Sequence, residues 1–176
     1  MKTPRIFEVG FGTGLNTMLT LIEARRKGIS CLYHTIEAFP LEQELIDQLN
    51  YKAWIQPEFH SVFDLLHTCG WDQENQITEQ FTFRKIHEQL QQFIPGTQYD
   101  LVYFDAFAPD KQPEMWTEDI FRMISASMSE QGIIVTYSAK GEIRRILERV
   151  GFAVEKLNGP PGKKHMLRGI KQAHFA

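Results

Sequence analysis

The chain has 176 residues, 43% of them hydrophobic and 23% charged, with a formal net charge of −3. That size supports one domain around one core, and the acidic balance argues against broad, non-specific binding of nucleic acid. Cys31 and Cys69, the two cysteines, are too few for a disulfide framework or a Cys-based zinc site and suit a reducing cytoplasm; no leader pattern and no apolar run of about 18 residues argues for secretion or membrane spanning.

Arg5 to Val9 reads as a first strand, followed by the turn Gly10-Phe11-Gly12-Thr13-Gly14. Leu15 to Lys27 reads as a helix with Leu15, Met18, Leu19 and Ile22 on one face, stopped by Gly28. Cys31 to Ile36 is a second strand ending at Glu37, and Pro40 opens a helix whose face is Leu41, Leu45, Ile46 and Leu49. Residues 51–79 are the least periodic; a short helix over Phe59 to Leu66 is expected there, and otherwise loop. Phe81 to Ile86 alternates as a strand, and Leu101 to Phe104 is a short apolar run of the kind found in central strands. A helix over Glu114 to Met128, a strand over Gly132 to Tyr137 and a helix over Gly141 to Val150, closed by Gly151, follow. Phe152 to Leu157 and His165 to Ile170 are joined by too short a connection for anything but an antiparallel pair. The alternation predicts an α/β fold with a mostly parallel sheet of about seven strands and an antiparallel C-terminal hairpin.

Four groups of residues carry chemistry. In Glu8-Val9-Gly10-Phe11-Gly12-Thr13-Gly14-Leu15-Asn16, alternate glycines bring backbone close to a ligand at a helix N-terminus. The dinucleotide fingerprint would need glycine where Leu15 stands, and a carboxylate at Glu8 repels phosphate but attracts a cationic ligand such as a sulfonium. Glu37, 23 residues after Gly14, lies near the spacing of about 20 at which an acid accepts ribose hydroxyls. Asp105-Ala106-Phe107-Ala108-Pro109 follows a strand end, where open α/β sheets bind ligands. There Asp105 is placed to hold an amine by its N–H groups and aim the lone pair, and Phe107 to stack on a ring. Trp116 reads equally as core or as ligand contact. Last, Lys156, Lys163, Lys164, Arg168 and Lys171, with His165 and His174, form a C-terminal segment without an acid. It reads as a local anion site suited to RNA phosphate, or as a solvated charged tail.

Phe7 to Asn16, Asp105 to Pro109 with Pro113-Glu114-Met115-Trp116, Thr136-Tyr137-Ser138 with Gly141 and Arg144-Arg145, and Gly162 to Leu167 together resemble the methyltransferase of the MnmC/MnmD family. The resemblance implies a Rossmann-like class I methyltransferase fold with S-adenosyl-L-methionine as cofactor. The implied reaction methylates the aminomethyl nitrogen at C5 of the tRNA wobble uridine, giving 5-methylaminomethyl-2-thiouridine. By this likeness Glu8, Gly10, Gly12, Gly14, Asn16, Glu37 and Asp105 match the cofactor site, and Asp105 the catalytic centre. Phe107, Pro109, Lys163 and Lys164 match the substrate side. No metal is implied, because the sulfonium is already an activated methyl donor. One methyltransferase domain over residues 1–176 is expected, lacking a stretch that precedes the first strand in full-length members. The family's fused FAD-dependent oxidase has no counterpart here, so a separate enzyme would supply the aminomethyl precursor. Where some members place an acid after the third strand, Ile86-His87-Glu88 stands, and His165 replaces a glutamate. A tRNA-binding pseudomethyltransferase and an aminopropyltransferase of the spermidine synthase type are the competing readings.

Overall fold

The computed structural model describes residues 3–159, 162 and 164–173. Its strands are β1 Arg5–Val9, β2 Cys31–Ile36, β3 Glu74–Thr78, β4 Phe81–Ile86, β5 Tyr99–Phe104, β6 Met128–Thr136, β7 Phe152–Asn158 and β8 His165–Lys171. They form one sheet in the order β3-β4-β2-β1-β5-β6-β8-β7. The five inner strands from β4 to β6 run parallel. β8 is antiparallel to both β6 and β7, and β3 is antiparallel to β4. The helices are α1 Leu15–Lys27, α2 Gln43–Ile46, α3 His60–Thr68, α4 Glu118–Ala126 and α5 Gly141–Arg149.

Side chains that alternate along each strand divide the core in two. On one face, Phe7, Val9, Val102, Phe104 and Ile134 pack against Ile120, Phe121 and Ile124 of α4 and Ile143, Ile146 and Leu147 of α5. On the other, Ile6, Tyr33, Phe81 and Phe83 pack against Met18 and Leu21 of α1 and Phe63 and Leu66 of α3. From β1 the chain crosses to β2 on one side, and later returns to place β5 on the other. The point where strand order reverses therefore lies between β1 and β5, where ligands gather in folds of this kind.

Four expectations are corrected. The sheet has eight strands rather than seven, because β3 is an edge strand of sequence Glu-Asn-Gln-Ile-Thr in which only Ile77 is buried, so it carries no apolar alternation to read. The helix after Pro40 shrinks to Gln43–Ile46, with no buried residue; its apolar face has little to pack against. The helix expected over Glu114 to Met128 is split into a 3-10 turn, Pro113–Trp116, and α4. Thr117 adopts extended backbone between them and caps α4, its hydroxyl accepting from Ile120 N, and a capping residue favours a helix start over continuation. Finally, β6 begins four residues early, at Met128, through an irregular stretch with Gln131 at φ 62°.

Lys171, expected in the basic tail, is instead buried in β8. Its ammonium donates to Ser125 O and Met128 O, both at 2.7 Å, satisfying carbonyls at the end of α4 and the start of β6. Lys171→Met would remove the ammonium donor from both carbonyls. The variant should lose about 2–4 kcal/mol in urea unfolding, and an unchanged midpoint would show that the carbonyls are satisfied otherwise.

Candidate functional site

Val9, Ile36, Ile86, Phe104 and Thr136, the last residues of five parallel strands, are register partners across the sheet. The residues one step beyond them therefore line up along one edge: His87, Glu37, Gly10, Asp105 and Tyr137. The ladder continues into this row, with Gly10 N donating to Ile36 O at 2.9 Å, Glu37 N to Ile86 O at 3.0 Å and Asp105 N to Val9 O at 3.0 Å.

Gly10 has φ 91°, and a Cβ there would lie 3.1 Å from the carbonyl oxygen of Asp105. The glycine loop and the Asp105 loop thus meet backbone to backbone, which only glycine permits. Gly14, at φ 72°, is the left-handed N-cap of α1 and closes a turn to Phe11 O at 2.8 Å. No side chain caps this helix end, so its leading N–H groups remain available to a ligand. Gly12 is exposed, and a Cβ on it would meet nothing within 4 Å, so the space above the loop is open. Its N–H donates to Glu37 Oε2 at 3.1 Å, while Phe39 N donates to Glu37 Oε1 at 2.9 Å. Glu37 thereby ties the end of β2 to the glycine loop, and each of its oxygens keeps acceptor capacity.

Asn16 Nδ2 donates to Asp105 Oδ2 at 3.0 Å, so a residue of α1 orients the carboxylate that follows β5. Phe107 is 76% exposed, Pro109 is half-buried, and Asp110 pairs with Lys140 at 2.6 Å. Trp116 belongs to the core, 5.0 Å from Phe104 between ring centroids, yet its Nε1 donates to Phe107 O at 2.8 Å. Tyr137 Oη donates to Ala106 O at 2.8 Å. Burial, then the Asp105 charge, raises the Tyr137 pKa, which keeps it a donor at neutral pH.

Glu8 lies beneath the loop rather than in the cleft. It has no exposed surface, and its Oε2 accepts from Thr17 Oγ1 at 3.0 Å. Burial lifts its pKa to about 7, against the opposing effect of the Thr35 and Thr17 hydroxyls. A direct contact with the cationic end of a ligand, as the sequence led one to expect, does not fit this placement; any attraction acts through the loop. Two further side chains at the edge escaped the sequence reading. Asp72 Oδ1 accepts from His87 N at 3.0 Å, bringing a carboxylate to the end of β4 from a distant segment. His67 packs against Phe11 and Gly14, and burial and then Lys85 lower its pKa to about 4.

The basic C-terminal segment is smaller than the sequence implied. Lys156 and Lys164 are exposed, Arg168 is paired with Glu155, and Lys171 is buried. Lys163 and His174 lie outside the described residues. Arg144 pairs with Glu148 at 2.8 Å on α5.

This arrangement offers N–H donors at a helix start, an acid at the neighbouring strand end and an open space between them. The profile of a family described as S-adenosyl-L-methionine-dependent methyltransferase matches residues 50–172. The chain belongs to this family. Two curated relatives, each called a tRNA 5-methylaminomethyl-2-thiouridine biosynthesis bifunctional protein MnmC, come from Nitrosospira multiformis and Pseudoalteromonas atlantica. The first is 30% identical over 174 residues, covering 93% of this chain and 28% of the relative. The second is 31% identical over 184 residues, covering 94% and 26%. The chain thus spans little more than a quarter of the relatives' length. The crystal structure of MNMC2 from Aquifex aeolicus aligns with TM-score 0.77 and 22% identity, over 96% of this chain and 53% of that one. The fold is the Rossmann-like class I methyltransferase fold with one added edge strand. The methyltransferase's cofactor is S-adenosyl-L-methionine, and the edge residues fit it: acceptors at Glu37 for ribose hydroxyls, N–H groups of α1 for a carboxylate, open space over Gly12.

Glu8 makes the stability of this methyltransferase depend on pH. Its carboxyl binds a proton more tightly folded than at the ordinary value of 4.5, so stability falls as pH rises from about 4.5 to about 7. Glu8→Gln removes this titration and retains an acceptor for Thr17. The variant should match the parent near pH 4.5 and exceed it at pH 8 by up to about 3 kcal/mol. A constant gap between the two denaturation curves from pH 5 to pH 8 would rule out a buried titrating carboxyl.

Proposed function

We propose that this chain transfers a methyl group from S-adenosyl-L-methionine to the aminomethyl nitrogen at C5 of a tRNA wobble uridine, the product being 5-methylaminomethyl-2-thiouridine. The observation that carries this reading is the hydrogen bond from Asn16 to Asp105. It couples the cofactor loop to a carboxylate at the switch point, so that one short span of the edge serves both substrates. The 30% identity to a relative named for this tRNA modification supports the choice of substrate.

When bound, the cofactor supplies a methyl group already activated on a sulfonium. The chain's own residues do the rest. Glu37 accepts hydrogen bonds from the ribose hydroxyls, and the leading N–H groups of α1 donate to the carboxylate end. Gly10, Gly12 and Gly14 keep side chains out of the way. Asp105 accepts an N–H of the substrate amine, which turns the nitrogen lone pair toward the methyl group. It also stabilises the positive charge that grows on nitrogen during transfer. Phe107 offers an exposed ring for the uracil to stack on, Pro109 shapes the loop behind it, and Lys163 and Lys164 meet tRNA phosphates. A separate enzyme supplies the aminomethyl precursor.

The test is transfer from labelled S-adenosyl-L-methionine to tRNA carrying unmethylated 5-aminomethyluridine, with nucleoside analysis. Label should appear in 5-methylaminomethyluridine, 2-thiolated or not. Asp105→Asn should cut turnover about 100-fold or more, with cofactor affinity changed by less than about threefold, because the N–H groups and Glu37 are untouched. Full turnover in the variant would remove Asp105 from the transfer centre, and absence of label with the parent chain would overturn the reading.

A further inference from the structure

Asp105 is the first residue after β5, and its N–H makes the last bond of the ladder there, to Val9 O. The two peptide groups that follow it are both held. Ala106 O accepts from Tyr137 Oη, and Phe107 O accepts from Trp116 Nε1, each at 2.8 Å. The donors come from different elements: Tyr137 follows β6, whereas Trp116 ends the 3-10 turn of Pro113–Trp116. Their rings meet edge to face at 6.0 Å, so each also braces the other. On the opposite side Asp105 N is held by Val9 O, and Gly10, at φ 91°, packs against the Asp105 carbonyl, with 3.1 Å left for a Cβ. Ala106 is buried, so the loop is pinned inward there, while Phe107 is turned outward.

We propose that Tyr137 and Trp116 are positioning residues for methyl transfer: by holding the Ala106 and Phe107 carbonyls they fix the direction of the Asp105 carboxylate and of the exposed Phe107 ring. The inference rests on the assignment of Asp105 to the transfer centre. Both hydrogen bonds go to the loop after β5, so their effect is expected on the acceptor side of the reaction. Reaction rates depend steeply on such geometry, with a displacement of about 1 Å costing on the order of 100-fold.

Tyr137→Phe keeps the ring and its contact with Trp116 but removes the donor. It should lower kcat by about 10- to 100-fold while lowering the melting temperature by only a few degrees, the effect of one lost donor, and leaving the dissociation constant for S-adenosyl-L-methionine unchanged. Trp116→Phe, assayed well below its melting temperature, should act in the same direction. The deciding comparison places Tyr137→Phe on Asp105→Asn. A residue that works through Asp105 adds little to a variant already lacking the carboxylate, whereas general damage multiplies with it. Loss of kcat in the single variant with little further loss in the double variant supports the inference. Unchanged kcat in Tyr137→Phe, or an equal fold-loss on both backgrounds, overturns it while leaving the role of Asp105 standing. No label with the parent chain overturns the assignment of Asp105, and this inference with it.

Discussion

Parallel register is the constraint on which the site depends. Val9, Ile36, Ile86, Phe104 and Thr136 stand abreast because each strand repeats the hydrogen bonding of its neighbour without a slip at this end. The irregularities fall elsewhere: between Tyr99 and Leu101 at the opposite end of β5, and between Gln76 and Thr78 in the edge strand β3. A one-residue slip of β5 would turn Asp105 to the other face of the sheet and bury Leu101 in place of Val102. The hydrophobic packing of Val102 and Phe104 against α4 therefore stabilises the fold and aims the carboxylate at once.

Beneath the glycine loop the methyltransferase buries two ionisable groups that make no ion pair with each other among the described residues. Glu8 lies under α1 and is bonded by Thr17. Lys85 is 1% exposed, donates to His67 O at 2.6 Å, and lies 4.7 Å from the centre of the Trp71 ring and 5.8 Å from that of Phe11. Burial lowers the Lys85 pKa and raises that of Glu8, each shifted toward its neutral form. Aromatic faces and a carbonyl compensate the ammonium where a carboxylate would otherwise be required. Phe11 is common to these contacts, so the loop residue between Gly10 and Gly12 is anchored from below while its backbone is left facing the ligand.

The proposed acceptor side is built differently. Its carboxylate, exposed ring and two carbonyl clamps belong to β5, to the turn before α4 and to the end of β6, segments that come together only across the sheet. The exposed ion pair of Asp110 with Lys140 joins these segments at the surface, where it adds little energy. The proposed cofactor side is local in sequence, from Glu8 to Glu37, and the proposed acceptor side is not. A Rossmann-like scaffold allows this division, since its ligand edge collects loops from many strands.

How much of this was legible beforehand follows the same division. The glycine loop, the bounds of α1 with its stop at Gly28, the parallel inner strands and the terminal hairpin all rest on short-range signals: turn residues, apolar periodicity and connection length; the buried face of α1 does not, since Leu15 and Leu19 are exposed and Thr17 and Leu21 are buried with Met18. Asp105, Glu37 and Asn16 could be singled out because they sit at strand or helix ends that those signals define. Sequence alone could not say that Asn16 bonds Asp105, that Glu37 bonds Gly12, or that Tyr137 and Trp116 clamp the loop, because each pair joins residues brought together by strand order. Charge was the least legible. Lys171 reads as part of a basic tail and is buried, Glu8 reads as a ligand contact and lies beneath the loop, and Asp72 reads as loop and reaches the end of β4. A residue's type and spacing determine what local structure it favours, whereas its solvation depends on which distant atoms surround it, and only the tertiary structure decides that.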